Sequence, residues 1–219
     1  MRLPSNCCRI AIAFALTLVS VSATAVPINP TSYSMNNGQG QAAGGSYNYW
    51  DKKYNGSGNT STGLALLSGG LGDLTDGVIA TKNWNLVENV AGTGPYVGWR
   101  TISPTIDFFF STTYIFDSVT IYFDDPHAGG VVLPSSVTID AKNFSVTDPH
   151  PLSNSPAALT FQLNGLATNQ VDITLTKPIN QWVFVSEIQF NGHTIPEPAS
   201  LALMGLGLAG LGFSRRHNT

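Results

Sequence analysis

Between Thr105 and Phe190 the chain is written almost wholly in β-branched and aromatic runs separated by turn residues. Thr105-Ile-Asp-Phe-Phe-Phe110 and Tyr114-Ile-Phe-Asp-Ser-Val-Thr-Ile-Tyr-Phe123 carry side chains that suit a pleated surface and are stiff at χ1 in a helix. In the second run Val119, Ile121 and Phe123 alternate with Thr120 and Tyr122. That period of two sends one set inward and the other outward. Further runs predict strands at Ser136 to Ala141, Ala158 to Leu163, Val171 to Thr176 and Trp182 to Phe190. Asp124-Asp125-Pro126, His127-Ala-Gly-Gly130, Asp148-Pro149-His150-Pro151, Asn164-Gly165 and Lys177-Pro178 separate them as turns. Only the two termini carry a helical period. The spacing predicts an all-β fold, an antiparallel sandwich with its core at the alternating Val, Ile and Phe positions.

The termini obey different rules. Arg2 and Arg9 precede a mostly apolar stretch, Ile10 to Val21, and Ala23-Thr24-Ala25 follows as a small-x-small triplet. This is the layout of an export signal over residues 1–25, with Ala23 and Ala25 flanking the expected cut. Cys7 and Cys8 are the only cysteines and fall inside it, so the mature chain is expected to have neither disulfide nor thiolate chemistry. At the other end Ala199 to Phe213 is free of charge. As a helix this span reaches roughly 22 Å, short of the roughly 30 Å hydrocarbon core of a bilayer. Gly205, Gly207, Gly210 and Gly212 weaken it in water. Pro196 and Pro198 fence it from the preceding strand, and Arg215 and Arg216 hold its end on the cytoplasmic side. A hydrophobic helix crossing the membrane transiently at 199–213, with a basic tail at 214–219, is the expectation.

Between these ends lies an acidic body. Charged residues make up 11% of the 219-residue chain and the net charge is −3. Six of the ten basic residues and twelve of the thirteen acidic ones fall between Val26 and Ile195, giving 6 − 12 = −6 there. With no basic stripe, nucleic acid is excluded as a partner. Residues 26–70, rich in Gly, Ser and Asn, read as a segment packed on the body through Tyr47, Tyr49, Trp50 and Tyr54. Residues 71–194 read as the sandwich domain and 195–219 as the tail.

Four short motifs occur in order: Leu74-Thr-Asp-Gly77, Thr81-Lys-Asn-Trp84, Tyr96-Val-Gly-Trp99 and Trp182-Val-Phe-Val-Ser-Glu-Ile-Gln-Phe190. Their order and spacing resemble the galactose-binding-like (discoidin, or coagulation factor type C) jelly roll over Leu71 to Gly192. The resemblance implies a structural calcium ion where the Asp-Gly loop meets the closing strand, with Asp76, the Thr81 oxygens and Glu187 as ligands. Asp-Gly is equally a turn signal, and Glu187 equally an outward strand residue. The resemblance also implies ligand binding at loops on one end of the sandwich. Trp50, Trp84, Tyr96 and Trp99 are the aromatic candidates for stacking on sugar rings, with Arg100 to fork onto a carboxylate or hydroxyl. Trp84 and Trp99 occupy positions that define the fold in that family, so a core role competes.

Catalytic patterns are missing. There is no HExxH, GxSxG or P-loop. His127, His150 and His193 read as solvated loop histidines, and Asp124-Asp125 as a polar hairpin turn. Three Asn-x-Ser sequons, at Asn55, Asn59 and Asn143, are of the number chance supplies in such a composition.

Pro196-Glu197-Pro198, the short apolar span and the Arg215-Arg216 tail together resemble the PEP-CTERM sorting signal of exopolysaccharide-producing Gram-negative bacteria. That resemblance implies recognition by an exosortase, a membrane processing enzyme acting near the tripeptide to deliver the protein outside. The sequence therefore reads as an exported, non-enzymatic protein sorted to the cell surface or polysaccharide matrix, its body binding carbohydrate. A surface component without a specific ligand, and a secreted hydrolase, are the alternatives.

Overall fold

A computed structural model describes residues 25–195. The export signal up to Thr24, the tripeptide Pro196–Pro198, the apolar span and Arg215-Arg216 lie outside the described residues; Ala25 is exposed at their edge.

The two long β runs of the sequence each form one bent strand. β5 (Thr105–Phe123) and β8 (Ala157–Thr176) pair antiparallel along most of their length. Their register shifts between Phe109 and Tyr114 and again between Phe116 and Ser118. At these bulges the strands turn from one layer into the other. In the first layer the start of β5 takes β2 (Ser32–Asn36) on one side, with β3 (Leu66–Gly70) beyond it. The end of β8 takes β6 (Ser136–Ile139), followed by β7 (Lys142–Ser145). In the second layer the end of β5 takes β9 (Val183–Thr194), which carries β1 (Val26–Ile28) and β4 (Val97–Trp99) on its far edge. The result is the expected antiparallel sandwich.

Three differences from the sequence reading have physical causes. Asn164 and Gly165 have positive φ (57° and 83°) inside β8, so the pair makes a bulge where a turn was expected. Residues 26–70 are woven into the body, since β2 is an inner strand with Tyr33 and Met35 buried. Asp124 and Asp125 are buried at 0% and 2% exposure, rather than solvated in a hairpin turn.

The two layers meet through aromatic rings. Phe108, laddered to Tyr33 and Val171 in one layer, packs its ring 4.9 Å from Phe190 of the other. Phe110 and Phe116 stand 5.1 and 5.8 Å from the same ring. Edge-to-face geometry at such spacing adds about 0.5–1.5 kcal/mol per pair to simple burial. A second, smaller apolar cluster of Tyr49, Ala80, Tyr96, Val131, Trp182 and Phe184 sits at one end of the sandwich, against partly buried Tyr47 and Trp84.

Candidate functional site

Over that second cluster the surface opens into a cleft of about 820 Å³. Its walls come from five places far apart in sequence: Gln39–Ala43, Trp84, Arg100–Thr101, the loop carrying Gly129 and Val131, and the stretch from Lys177 to Trp182. Tyr49 and Trp182 form an aromatic floor with ring centroids 5.0 Å apart, and Tyr49 lies 4.4 Å from Phe184 beneath.

Trp84 is the half-buried wall residue, and its position is strongly fixed. It opens a single helical turn, α1 (Trp84–Val87). Its backbone N–H donates to Asp124 Oδ2 at 2.9 Å, and the neighbouring Asn83 amide donates to the Asn154 carbonyl at 3.0 Å. Its ring stands edge-on to Tyr47 at 5.0 Å. Gly129, at φ 66°, lets the opposite loop close on it: a Cβ there would lie 2.8 Å from Trp84 Cζ2. Gln39 fixes the basic wall, its Oε1 accepting the Arg100 and Thr101 N–H groups at 2.6 and 2.7 Å. The exposed Arg100 guanidinium makes no hydrogen bond or salt bridge among the described residues and remains available. Two of the body's six cations, Arg100 and Lys177, line this cleft, and none of its twelve acids does.

The five ligand-binding candidates expected from sequence do not share one site, and Trp84 is the aromatic one that lines the cleft. Arg100 lines the cleft. Trp50 lies half-buried beside it, between Gln39–Gln41 and Ser61–Leu64. Tyr96 and Trp99 are corrected to the core: both are 0% exposed, and both polar tips are used internally. The Tyr96 hydroxyl donates to the Lys82 carbonyl at 2.9 Å, and Trp99 Nε1–H to the Asn36 carbonyl at 2.9 Å. The floor residues Tyr49 and Trp182, with Lys177, were missed. The turn Lys177-Pro178 leading into Trp182 was the readable signal for two of them.

The calcium donors expected at the Asp-Gly loop are only partly assembled. Gly77 N–H donates to Glu187 Oε2 at 3.1 Å, which joins the loop to β9 as anticipated. Asp76, however, is engaged by the Lys53 ammonium at 2.7 Å and by the Val78 N–H at 2.9 Å. Thr81 is exposed and bonded to neither. Calcium needs six to eight oxygens, and here a lysine already neutralises one of the two carboxylates. These three side chains do not make its cage. Burial, and then the nearby Asp76 charge, push Glu187 up to about 7.

Residues 30–192 match the family model described as the discoidin domain-containing receptor 1/2, DS-like domain. The chain belongs to this DS-like domain family. The model spans β2 through most of β9, so the family covers the sandwich and the greater part of the 26–70 segment together. Residues 194–216 match the PEP-CTERM protein-sorting motif, which marks a protein for export and sorting to the cell envelope or surface. No curated protein matches the chain. Among solved structures it is similar to a fucolectin from striped bass serum, at 14% identity and TM-score 0.38, over 78% of this chain and 80% of that one. It is also similar to the family 32 carbohydrate-binding module of C. perfringens NanJ in complex with galactose, at 8% identity and TM-score 0.31, over 44% and 75%. A fucose-binding module of Streptococcus pneumoniae gives 15% identity and TM-score 0.31, over 46% and 73%.

Proposed function

We propose that this DS-like domain protein is exported, processed by an exosortase in a Gram-negative host, and binds an acidic polysaccharide of the surface matrix through the cleft beneath Trp84. The observation that carries the reading is the composition of that cleft: an aromatic floor and wall, two cations and no carboxylate, on a body of charge −6. Aromatic faces accept the C–H face of a sugar ring, and amides of Gln39 and Asn180 suit its hydroxyls. Arg100 presents a planar fork that matches a uronate carboxylate. An anionic polymer meets two cations and no carboxylate in this cleft, so its charge favours this site. No group in the cleft has the paired-carboxylate layout of a glycosidase, so the reading is binding without turnover.

Titration of the full chain, held in a sugar-free detergent, with a uronate oligosaccharide and a neutral one of equal length tests this. The uronate binds more tightly and weakens as salt rises. Arg100→Ala lowers uronate affinity about tenfold, and Trp84→Ala lowers affinity for both oligosaccharides by a similar factor. Equal binding of both sugars by the wild type and both variants, or no binding, defeats the proposal. Sorting has a separate expectation. Replacing Pro196-Glu-Pro198 with three alanines leaves the protein in the membrane fraction with its C-terminus intact, read by intact-mass analysis of protein from the host. Normal surface delivery and trimming of that variant would rule the motif out as the signal.

A further inference from the structure

The loop from β5 to β6 and the loop from β7 to β8 meet on the far side of Asp124. There they bring together side chains that the sequence reading assigned to ordinary turns. His127 Nε2 lies 2.8 Å from Asp148 Oδ2 and 3.5 Å from Asp125 Oδ2, and the three ligand atoms all fall within 4.8 Å of one another. We infer that Asp125, His127 and Asp148 form a binding site for one divalent first-row metal ion of the zinc class.

Three features distinguish the cluster from a chance gathering of surface charges. Asp125 is 2% exposed, and its Oδ2, the atom facing His127, is buried without a hydrogen-bond partner. A carboxylate oxygen in that state is costly unless a cation completes it. The second feature is the other face of the imidazole. His127 Nδ1 stands 3.3 Å from the Asn154 side-chain oxygen. A proton on Nδ1 donated to that oxygen leaves the Nε2 lone pair pointing at the two carboxylates, the arrangement that orients histidine ligands in metal sites. The third is that Asp148 is likewise held from behind. Its Oδ1 accepts the His150 N–H at 2.6 Å, which leaves Oδ2 for the site.

The two donor spacings from His127 fit zinc. With metal–ligand bonds of 2.0–2.2 Å, tetrahedral donors stand about 3.3 Å apart. The 2.8 Å contact opens and the 3.5 Å contact closes by only a few tenths of an ångström to meet that spacing. One imidazole and two carboxylates neutralise a divalent ion and leave a fourth position for water. His127 and Asp148 are 32% and 29% exposed, which provides the entry path. Magnesium and calcium, which ask for six or more oxygens, are poorly served by a nitrogen and two carboxylates. The bound ion would staple the β5–β6 loop to the β7–β8 loop, in a body, residues 26–195, whose sequence contains no cysteine to do so by disulfide.

Calorimetric titration of the metal-stripped full chain with Zn²⁺ tests the assignment. One equivalent binds, and the melting temperature rises on loading and returns on chelation. Asp125→Asn and His127→Asn each weaken binding at least tenfold, and Asn154→Ala weakens it less. His127→Asn is the safer variant, because His127 has φ 51° and asparagine tolerates that left-handed conformation. An unchanged near-UV circular dichroism spectrum confirms that it folds. Co²⁺ loading gives intense visible bands of a four-coordinate site, absent in His127→Asn. Failure of the wild type to bind Zn²⁺, binding undiminished in both ligand variants, or tighter binding of Ca²⁺ or Mg²⁺ at these residues would overturn the inference.

Discussion

Phe190→Ala is expected to cost about 3–5 kcal/mol of folding stability, the range for truncating a large aromatic in a closed core. The ring is 1% exposed and contacts Phe108, Phe110 and Phe116, which enter from both halves of the bent strand β5. On the ladder Phe190 also stands opposite Val119 on β5 and Ile28 on β1. A cavity at this point loosens both layers at once, and backbone ladders on two sides prevent it from collapsing. Against a total stability of about 5–15 kcal/mol, the loss removes a large share of the margin. Urea denaturation of the full chain reads it as a lower midpoint at an unchanged slope. Leu86→Ala, at a side chain 69% exposed, is the control and moves the midpoint by no more than about 0.5 kcal/mol. A loss below about 1 kcal/mol at Phe190 would mean that the two layers do not depend on this contact.

The protein should become less stable as pH rises from about 4 to about 8, the reverse of the usual acid-labile pattern. Burial pushes Glu88 up to about 8, Asp124 and Glu187 up to about 7, and Asp125 up to about 6. Asp51 moves the same way, through burial and then the charge of Asp73 beside it. An acid whose folded value exceeds its unfolded value keeps a proton in the native state that the unfolded chain has already released. The native state then binds more protons, and the slope of stability against pH is negative. The stabilisation is complete below about 4, where the unfolded carboxyls also hold their protons, and is lost as pH passes each folded value. Each such proton contributes up to about 1.4 kcal/mol per pH unit. Asp148, held low chiefly by the His150 N–H, works in the opposite sense, on a side chain only partly buried. Glu88→Gln isolates one contribution. Its amide oxygen can still accept the Tyr96 N–H, bonded at 2.8 Å in the native protein, without a charge to bury. The variant's urea midpoint should decline less than the wild type's between pH 5 and pH 8. A wild-type midpoint that is flat or rises over that interval would refute the account.

What could be read from the sequence was whatever repeats locally. Alternation at Val119, Ile121 and Phe123 predicted the face each residue takes, because side-chain direction in a strand depends only on the count along it. The same logic was available for Ser32-Tyr-Ser-Met-Asn36, but five residues among glycines and asparagines carry too few periods to stand out. Continuity of β5 and β8 through their bends was not legible, since a bulge and a turn use the same residues, as Asn164-Gly165 illustrates. The cleft was harder still. Residue type marks Tyr96, Trp99 and Trp84 alike as aromatic, while only the packing of distant loops decides that two are sealed and one forms a wall. Asp124 and Asp125 lie just past the end of β5, where alternation no longer dictates a face. Both are buried, Asp124 under the Trp84 N–H and Asp125 facing His127, contacts that no local pattern announces.

β9 gives the molecule a clock. Among the described residues it is the last strand to be synthesised, yet it forms ladders with β1, β4 and β5 and supplies Phe190 to the centre. Until it arrives, the second layer lacks its middle strand and the aromatic faces of β5 have nothing to close against. β9 ends at Thr194, where the match to the sorting motif begins. The strand that closes the sandwich thus runs directly into the sorting motif, so the motif emerges only after the body's central strand has been made.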